Sequence, residues 1–393
     1  MFIVLAILIF SFFIFIHELG HYIAAVRAGV KVEEFAFGMG PKIWSKKGKE
    51  TVFAIRLLPF GGACVMQGED ADADGNPVAV AGVTANGQGE EKAEEVKPFD
   101  KTRSFSAKTR RARAVILVAG AFMNLITGFV IIAVLNLTDN SEVYVKPTVT
   151  AISDWSVVGG DSGIQVGDEI YSINDKRVYY IPDFNVFTAI PSGADGVVDL
   201  VLVRDGKKLT YKDFALRKVP VHDEKGNLVE RFGLSFTVIP VTLGGKITHA
   251  FYDTWNDVRL VGLGLEMIFS GETKFSDLSG PIGIVDIINE TGKPIQTDSE
   301  TGEVFAVSLS NRIRQAFTIA AFLTVNLAVM NLLPIPALDG GRVFALPITW
   351  AIEKVRRRPV NPKYEGYVHA IGMLLLLALM VVVLVSDVWK IVH

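Results

Sequence analysis

The segment His17–His21 reads His-Glu-Leu-Gly-His and follows an almost wholly apolar run of residues 1–16. Histidines four positions apart lie on one face of a helix, so both imidazoles can reach one metal ion. Glu18 is rotated by about 100° from His17, so its carboxylate can approach a water molecule without binding the metal. Because zinc lowers the pKa of such a water, a neighbouring glutamate can take its proton as the water attacks a carbonyl. The pattern predicts Zn²⁺ bound by His17 and His21, with Glu18 as the general base.

The composition predicts that these ionisable groups lie at membrane depth. Half of the residues (50%) are hydrophobic, the mean hydropathy is +0.37 and the net charge is -3. Ionisable side chains inside a membrane helix are costly and are usually functional. The charge gives no indication of a nucleic-acid partner. The single cysteine, Cys64, excludes an intrachain disulfide and a cysteine-based zinc site. The chain is therefore expected to contact a lipid bilayer.

Four segments have about the 20 apolar residues that a transmembrane helix needs. They are 1–29, 110–138, 315–342 and 366–393. The first carries the histidines and has no basic region before its apolar core, so it is expected to be a retained anchor. A further helix, at 246–269, contains several charged residues. It is expected to lie along the outer membrane surface, with insertion as a fifth span as the alternative.

Basic residues flank the predicted spans on one side. They follow the first span, precede the second, and cluster in the loop 343–365 between the third and the fourth. Because basic flanks stay in the cytosol, both termini and the long segment 138–314 are expected to face outside. This orientation places His17–His21 toward the cytosolic side of the membrane.

The remaining segments predict two β-rich regions and an unfolded loop. Apolar runs separated by turn residues predict a membrane-associated β-hairpin or sheet at 30–67. The acidic segment 68–109 predicts a disordered cytosolic loop. Short strands at 143–220, with Gly163–Ile170 followed by Ile173-Asn174, resemble a PDZ domain, which binds extended peptides by strand addition. Outside the membrane, 221–314 would hold the surface helix and a Ser-Gly-Pro-Ile-Gly segment.

The predicted fold class is therefore a multi-pass α-helical membrane protein with about four transmembrane helices. It also has a membrane-associated β-hairpin or sheet and one extracytoplasmic PDZ-like α+β domain.

A catalytic zinc ion needs a third protein ligand. Asp339 is the only acid near the end of the third span and is expected at the depth of His21. Pro334 and Pro336 break the helix before it. An ordinary Asp-Gly turn is the alternative, and we predict that Asp339 is the third ligand.

The two metal motifs, in this order and with a PDZ-like domain between them, resemble those of the site-2 protease family of intramembrane zinc metalloproteases. The second motif is Asn331–Gly341, which reads NLLPIPALDGG. The resemblance is strongest to the bacterial regulator-of-sigma-E proteases that have a single PDZ domain. Segments 37–41, 59–62, 279–283 and 326–331 also fit the family. Ala121 departs from it, because the family usually has proline there, and this puts a local bend of the second span in doubt.

The resemblance implies a role for each matching residue. His17, His21 and Asp339 would bind Zn²⁺, and Glu18 would be the general base. Asn331 would lie near the scissile bond and hold the substrate backbone or the oxyanion. The sheet at 33–66 would hold an unwound substrate as an added strand, since the carbonyls of a helical peptide are already hydrogen-bonded.

The resemblance also implies a location and substrates. The chain would lie in the bacterial cell membrane (the inner or plasma membrane). It would cleave transmembrane segments of single-pass proteins, namely anti-sigma factors already trimmed outside or remnant signal peptides. The PDZ-like domain would bind a new C-terminus or exclude bulky untrimmed ectodomains.

Two other classes of function compete with a protease. A transporter can also carry intramembrane charges, but it predicts repeated or inverted halves, and the sequence shows no obvious repeat. A non-catalytic membrane scaffold acting through the PDZ-like domain predicts tolerance of substitutions at His17 and Glu18. Metal analysis of the purified protein separates both from a protease, which alone needs about one zinc ion per chain.

Overall fold

The computed structural model describes residues 2–69, 100–139, 143–160, 163–189, 196–222, 226, 228–271, 281–297, 304–358, 360 and 362–392. The chain divides into two compact units. The first contains residues 1–132, 257–293 and 309–393, and the second contains 133–256 and 294–308. Most of the predicted acidic loop, at 70–99, lies outside the described residues.

Four helices of the described chain are long and apolar enough to cross a membrane. They are α1 (Phe2–Arg27), α2 (Arg110–Leu137), α6 (Leu309–Asn331) and α8 (Pro362–Val392). A helix can cross a lipid bilayer because its backbone hydrogen bonds are made within the helix. The four expected apolar helices are thus present. Helix α2 runs without interruption through Ala121, the position at which the resemblance implied proline.

The third predicted span, 315–342, is not one helix. Helix α6 ends at Asn331, and a separate helix, α7 (Asp339–Arg356), begins at the predicted metal ligand. The predicted loop 343–365 is therefore helical over its first part. The break has a local cause, since Pro334 and Pro336 lack an amide hydrogen and fix their φ angles. Ala337, with φ of 80°, then reverses the chain direction.

An antiparallel hairpin of β1 (Val32–Lys47) and β2 (Val52–Met66) forms the predicted β region at 30–67. It packs against α1 through aromatic rings, since Tyr22 contacts both Phe35 and Phe53. Large apolar side chains of the hairpin remain exposed in the structure, namely Met39, Ile43, Trp44, Leu57 and Leu58. An exposed apolar surface of this kind is typical of contact with a membrane or another protein.

The end of the predicted disordered loop is ordered, which corrects that prediction for residues 100–109. A short 3₁₀ helix spans Lys101–Arg103, and the Phe105 side chain is buried. The Phe105 amide donates a hydrogen bond to the carbonyl of Gln67, and the Arg103 guanidinium pairs with Glu50 of the hairpin at 2.6 Å. The buried Phe105 ring and the ion pair of Arg103 hold this segment in place.

The second unit is built on an antiparallel β-sheet, to which a helix is added, which is an α+β arrangement. Its strands are β3 (Val143–Ile152), β4 (Glu169–Ile173), β5 (Lys176–Arg177), β6 (Val197–Arg204), β7 (Lys207–Ala215), β8 (Val219–His222), β9 (Leu228–Arg231), β10 (Leu234–Pro240), β11 (Ile295–Thr297) and β12 (Val304–Ala306). The main sheet has the order β10-β3-β4-β6-β7, with β5 beside β4, and helix α3 covers Ile181–Ala189. The predicted domain boundary at residue 220 is too early, because β10 pairs with β3.

Two further helices follow this sheet in the chain. Helix α4 spans Leu243–Ser270 and includes the predicted surface helix 246–269. It is not among the helices apolar enough to span, so a position along the membrane surface stays a prediction. Helix α5 spans Pro281–Thr291.

A buried histidine makes the stability of the second unit depend on pH. His249 is 6% exposed and lies against the rings of Tyr144 and Tyr180. Burial lowers its pKa from 6.5 to about 4. The same histidine binds a proton more readily in the unfolded chain than in the folded protein. The stabilisation that neutral His249 contributes to the folded state is therefore complete above pH 6.5 and is lost as the pH falls toward 4.

We expect hydrogen exchange of the second unit, corrected for intrinsic rates, to accelerate on the order of tenfold between pH 7 and about pH 5. The variant His249→Phe keeps an aromatic ring but cannot ionise, so it should lack this part of the acceleration. An identical pH response in both proteins would show that His249 is not its source.

Candidate metal centre

Three side chains from two helices converge in the first unit. His17 and His21 stand one turn apart on α1, and Asp339 is the first residue of α7. The two Nε2 atoms are 3.1 Å apart. Oδ2 of Asp339 lies 3.0 Å from Nε2 of His17 and 3.2 Å from Nε2 of His21. Among the described residues, this is the only such group of His, Cys, Asp or Glu side chains positioned to hold a metal ion.

The donor atoms fit a tetrahedral zinc site. Zinc binds imidazole nitrogen and carboxylate oxygen at about 2.0–2.2 Å, which separates neighbouring ligand atoms by about 3.3 Å. The observed triangle has sides of 3.0–3.2 Å, close to that separation. Two neutral imidazoles and one carboxylate leave the fourth coordination position open, as in catalytic rather than structural zinc sites.

The Nδ1 atoms of both histidines, which are not part of the donor triangle, lie within hydrogen-bonding distance of other groups. Nδ1 of His21 lies 2.9 Å from the carbonyl oxygen of Ile116 on α2. A proton on this Nδ1 is donated to the carbonyl, which leaves the Nε2 lone pair free for a metal. Nδ1 of His17 lies 3.4 Å from the side-chain amide of Asn331. With its amide oxygen in that position, Asn331 can accept the His17 proton in the same way.

Two glycines allow α1 and α2 to approach each other at the site. A β-carbon on Gly20 would lie 2.9 Å from Cα of Gly120 and would overlap the carbonyl of Ala119. A β-carbon on Gly120 would lie 2.8 Å from Cε1 of His17 and closer still to Nε2 of His21. Gly120 therefore forms the wall against which both imidazoles lie. Its position in an apolar segment gave no sign of this role.

The start of α7 is packed as tightly as the helix crossing. A β-carbon on Gly340 would overlap the backbone of Leu332 and Leu333, and one on Gly341 would overlap that of Ile335. Arg342 forms an ion pair with Glu69, which follows β2. Only glycine fits beneath the preceding loop at these two positions. Packing therefore requires the two glycines of the Asp-Gly-Gly-Arg sequence, independently of the role of the carboxylate.

Glu18 is directed differently from the two histidines. It is not part of the donor triangle. A β-carbon on Gly62 of β2 would lie 2.9 Å from Cγ of Glu18, so the glutamate lies between α1 and the hairpin. All five residues predicted for the site are therefore in the first unit. Direct contacts link four of them, namely His17, His21, Asp339 and Asn331.

Comparison with known proteins decides the family. Residues 5–379 match the pattern of Peptidase family M50. The chain belongs to this family, the site-2 proteases. It is 32% identical to a putative zinc metalloprotease of Clostridium perfringens over 99% of this chain and 98% of that protein. It is 30% identical to the regulator of sigma-W protease RasP of Bacillus subtilis over 98% of this chain and 97% of RasP.

A third relative, a putative zinc metalloprotease of Clostridium acetobutylicum, is 34% identical over 98% of this chain and 97% of that protein. The M50 protease described here is thus an integral membrane zinc metalloprotease, and the predicted family, enzyme class and zinc dependence are confirmed. Membership of this family supports a protease rather than the transporter and scaffold alternatives.

Asn331 of this M50 protease offers a test that separates two roles. If its amide orients His17, Asn331→Ala should weaken zinc affinity about tenfold or more, as removal of an outer hydrogen-bond partner typically does. If it instead holds the substrate, as the resemblance implies, kcat should fall while zinc affinity stays unchanged. Zinc competition with a chelator, run beside steady-state kinetics, distinguishes the two results.

Proposed function

We propose that His17, His21 and Asp339 bind the zinc ion of this M50 protease and that Glu18 is its general base. The observation that carries this proposal is the triangle of donor atoms, with sides of 3.0–3.2 Å, formed by residues distant in sequence. When bound, zinc acts as a Lewis acid that favours ionisation of water and polarises the scissile carbonyl. Glu18 accepts the proton of the attacking water at its carboxylate and passes it to the leaving amine nitrogen.

The hairpin of β1 and β2 is the proposed support for the substrate. A transmembrane substrate is helical, and its carbonyls are hydrogen-bonded within the helix, so it must unwind before hydrolysis. An extended segment can pair with a strand edge through main-chain hydrogen bonds. The contact between Gly62 of β2 and Glu18 supports this role, because a segment bound along the hairpin lies beside the proposed base.

The proposed substrates are single-pass membrane proteins, either anti-sigma factors trimmed beforehand or remnant signal peptides. The name of the Bacillus subtilis relative, regulator of sigma-W protease, supports the first class. We propose that the chain lies in the bacterial cell membrane with its metal centre toward the cytosol. Basic residues after α1, before α2 and at the end of α7 support this orientation.

The second unit is proposed to act outside the membrane as a PDZ-like domain. Among the described residues, strand β10 lies at one edge of the main sheet. One side of β10 pairs with β3, and the opposite side has no neighbouring strand in this order. Phe184 of α3 contacts Phe232 and Phe236 at the start of this strand, which makes an apolar floor beside the edge. An edge strand next to such a floor can accept the new C-terminus of a trimmed substrate, and the domain can equally exclude a bulky ectodomain.

Reconstituted cleavage tests the proposal. The purified full chain is placed in lipid vesicles with a single-pass substrate in two forms, one carrying its folded ectodomain and one trimmed close to the membrane. We expect cleavage of the trimmed form within or near its transmembrane segment, and its loss with chelator or with Glu18→Gln. Undiminished cleavage by Glu18→Gln or with chelator would overturn the assignment of the site. Equal cleavage of both forms would overturn the role of the second unit as a filter.

A further inference from the structure

The segment 332–338, between α6 and α7, has an almost complete set of backbone hydrogen bonds. The amides of Leu332 and Leu333 donate to carbonyls of the last turn of α6, and those of Ile335 and Leu338 donate within the segment. Pro334 and Pro336 have no amide hydrogen. This leaves the amide of Ala337, at the point where φ is 80°. The hydrogen-bond partner of the Ala337 amide therefore stabilises the turn at this residue.

That partner is a side chain of α8. The Ala337 amide donates to Nδ1 of His369 at 3.0 Å. Ala337 is partly buried, and a polar group removed from water is costly unless it is hydrogen-bonded. A non-glycine residue with positive φ also needs support from its surroundings. The hydrogen bond from Ala337 to His369 meets both requirements.

A second contact lies one turn further along the same face of α8. A β-carbon on Gly372 would lie 2.7 Å from the carbonyl oxygen of Pro336 and closer to its ring. Beside this contact, Ile335 and Pro336 line an open apolar groove together with residues of α8 such as Ile371 and Leu375. The segment and α8 thus meet closely at Gly372, one turn from the hydrogen bond at His369.

The segment in turn determines where Asp339 lies. Asp339 follows Ala337 by two residues, and the next two residues, Gly340 and Gly341, pack directly on the backbone of the segment. A shift of the segment therefore shifts the first turn of α7 together with its carboxylate. Metal ligands must be held to about 0.5 Å to keep their affinity.

We propose that His369 and Gly372 of α8 are positioning residues that hold Asp339 at its place opposite the two histidines. This inference rests on the proposed function, in which Asp339 binds the zinc ion. Helix α8 thus acts on the metal centre without contributing a ligand. His369 does so as a hydrogen-bond acceptor, and Gly372 does so by its lack of a side chain.

Zinc release by the full-length protein tests this inference without measuring proteolysis. Zinc-loaded protein in detergent is mixed with excess chelator, and zinc loss is followed over time beside thermal unfolding. His369→Leu removes the acceptor and is expected to release zinc about 10–100-fold faster. His369→Asn keeps an acceptor oxygen near the position of Nδ1 and should stay within about threefold of the unmodified protein. Leu374→Ala, at an exposed position of α8, is the control and should not differ.

Gly372→Ala provides a second test should His369→Leu fail to fold. Its added methyl group meets Pro336, so faster zinc release is again expected. Release at the unmodified rate in folded His369→Leu or Gly372→Ala would overturn the inference. The same holds if His369→Asn releases zinc as fast as His369→Leu. If Asp339→Ala still holds zinc like the unmodified protein, the proposed ligand set itself is wrong, which is a separate result.

Discussion

Glu18→Gln is expected to lower the rate of peptide-bond hydrolysis by about 10²–10⁴-fold, the usual contribution of a general base. Glutamine has nearly the shape of glutamate but cannot accept the proton of the attacking water. Because Glu18 lies outside the triangle of His17, His21 and Asp339, the variant should still bind one zinc ion per chain with unchanged affinity. The two measurements are cleavage of a trimmed substrate in vesicles and zinc content after dialysis.

Glu50→Gln is the matched control for this variant. Glu50 is an exposed carboxylate that pairs with Arg103 at the turn of the hairpin, so its replacement should leave kcat within about twofold. Zinc loss in Glu18→Gln would show that Glu18 acts as a ligand. Retained hydrolysis would show that another group accepts the proton.

Gly120→Ala is expected to have an effect of similar size through a different cause. The new methyl group would occupy the space next to Cε1 of His17 and Nε2 of His21. The rings cannot simply rotate away, because Nδ1 of His21 is held at the carbonyl of Ile116. We expect zinc affinity to fall at least about 100-fold and proteolysis to fall with it.

Gly262→Ala is the matched control, since it makes the same change in helix α4, where a β-carbon would meet nothing within 4 Å. Alanine favours a helix slightly over glycine, so this control should be neutral or mildly stabilising. If Gly120→Ala binds zinc as well as Gly262→Ala does, the close approach of α2 to the two imidazoles is not a feature of the working protein.

The sequence predicted the residues of the candidate metal centre because its proposed chemistry depends on short spacings. Two histidines four residues apart share a helix face whatever surrounds them, and an acid in an apolar segment stands out by its cost. The four apolar helices and the hairpin at 30–67 follow from equally local patterns. These parts of the fold need no knowledge of how distant segments meet.

The features that the sequence did not predict depend on contacts between distant segments. The wall at Gly120 exists only because α1 crosses α2 there, and the pairing of β10 with β3 joins residues far apart in the chain. The order of residues 100–109 comes from contacts with Gln67 and Glu50. Likewise, the proline residues predicted a break before Asp339, but not that Ala337 would reach His369 of another helix.

Zinc K-edge X-ray absorption of the purified Glu18→Gln protein tests the central claim most directly. We predict about one zinc ion per chain, bound by two imidazole nitrogens and one carboxylate oxygen at about 2.0–2.2 Å, with a light-atom ligand completing the shell. The double variant Glu18→Gln, Asp339→Ala should lose the ion or the carboxylate ligand. An unchanged zinc environment in the double variant, or no histidine ligands in the single variant, would contradict the account.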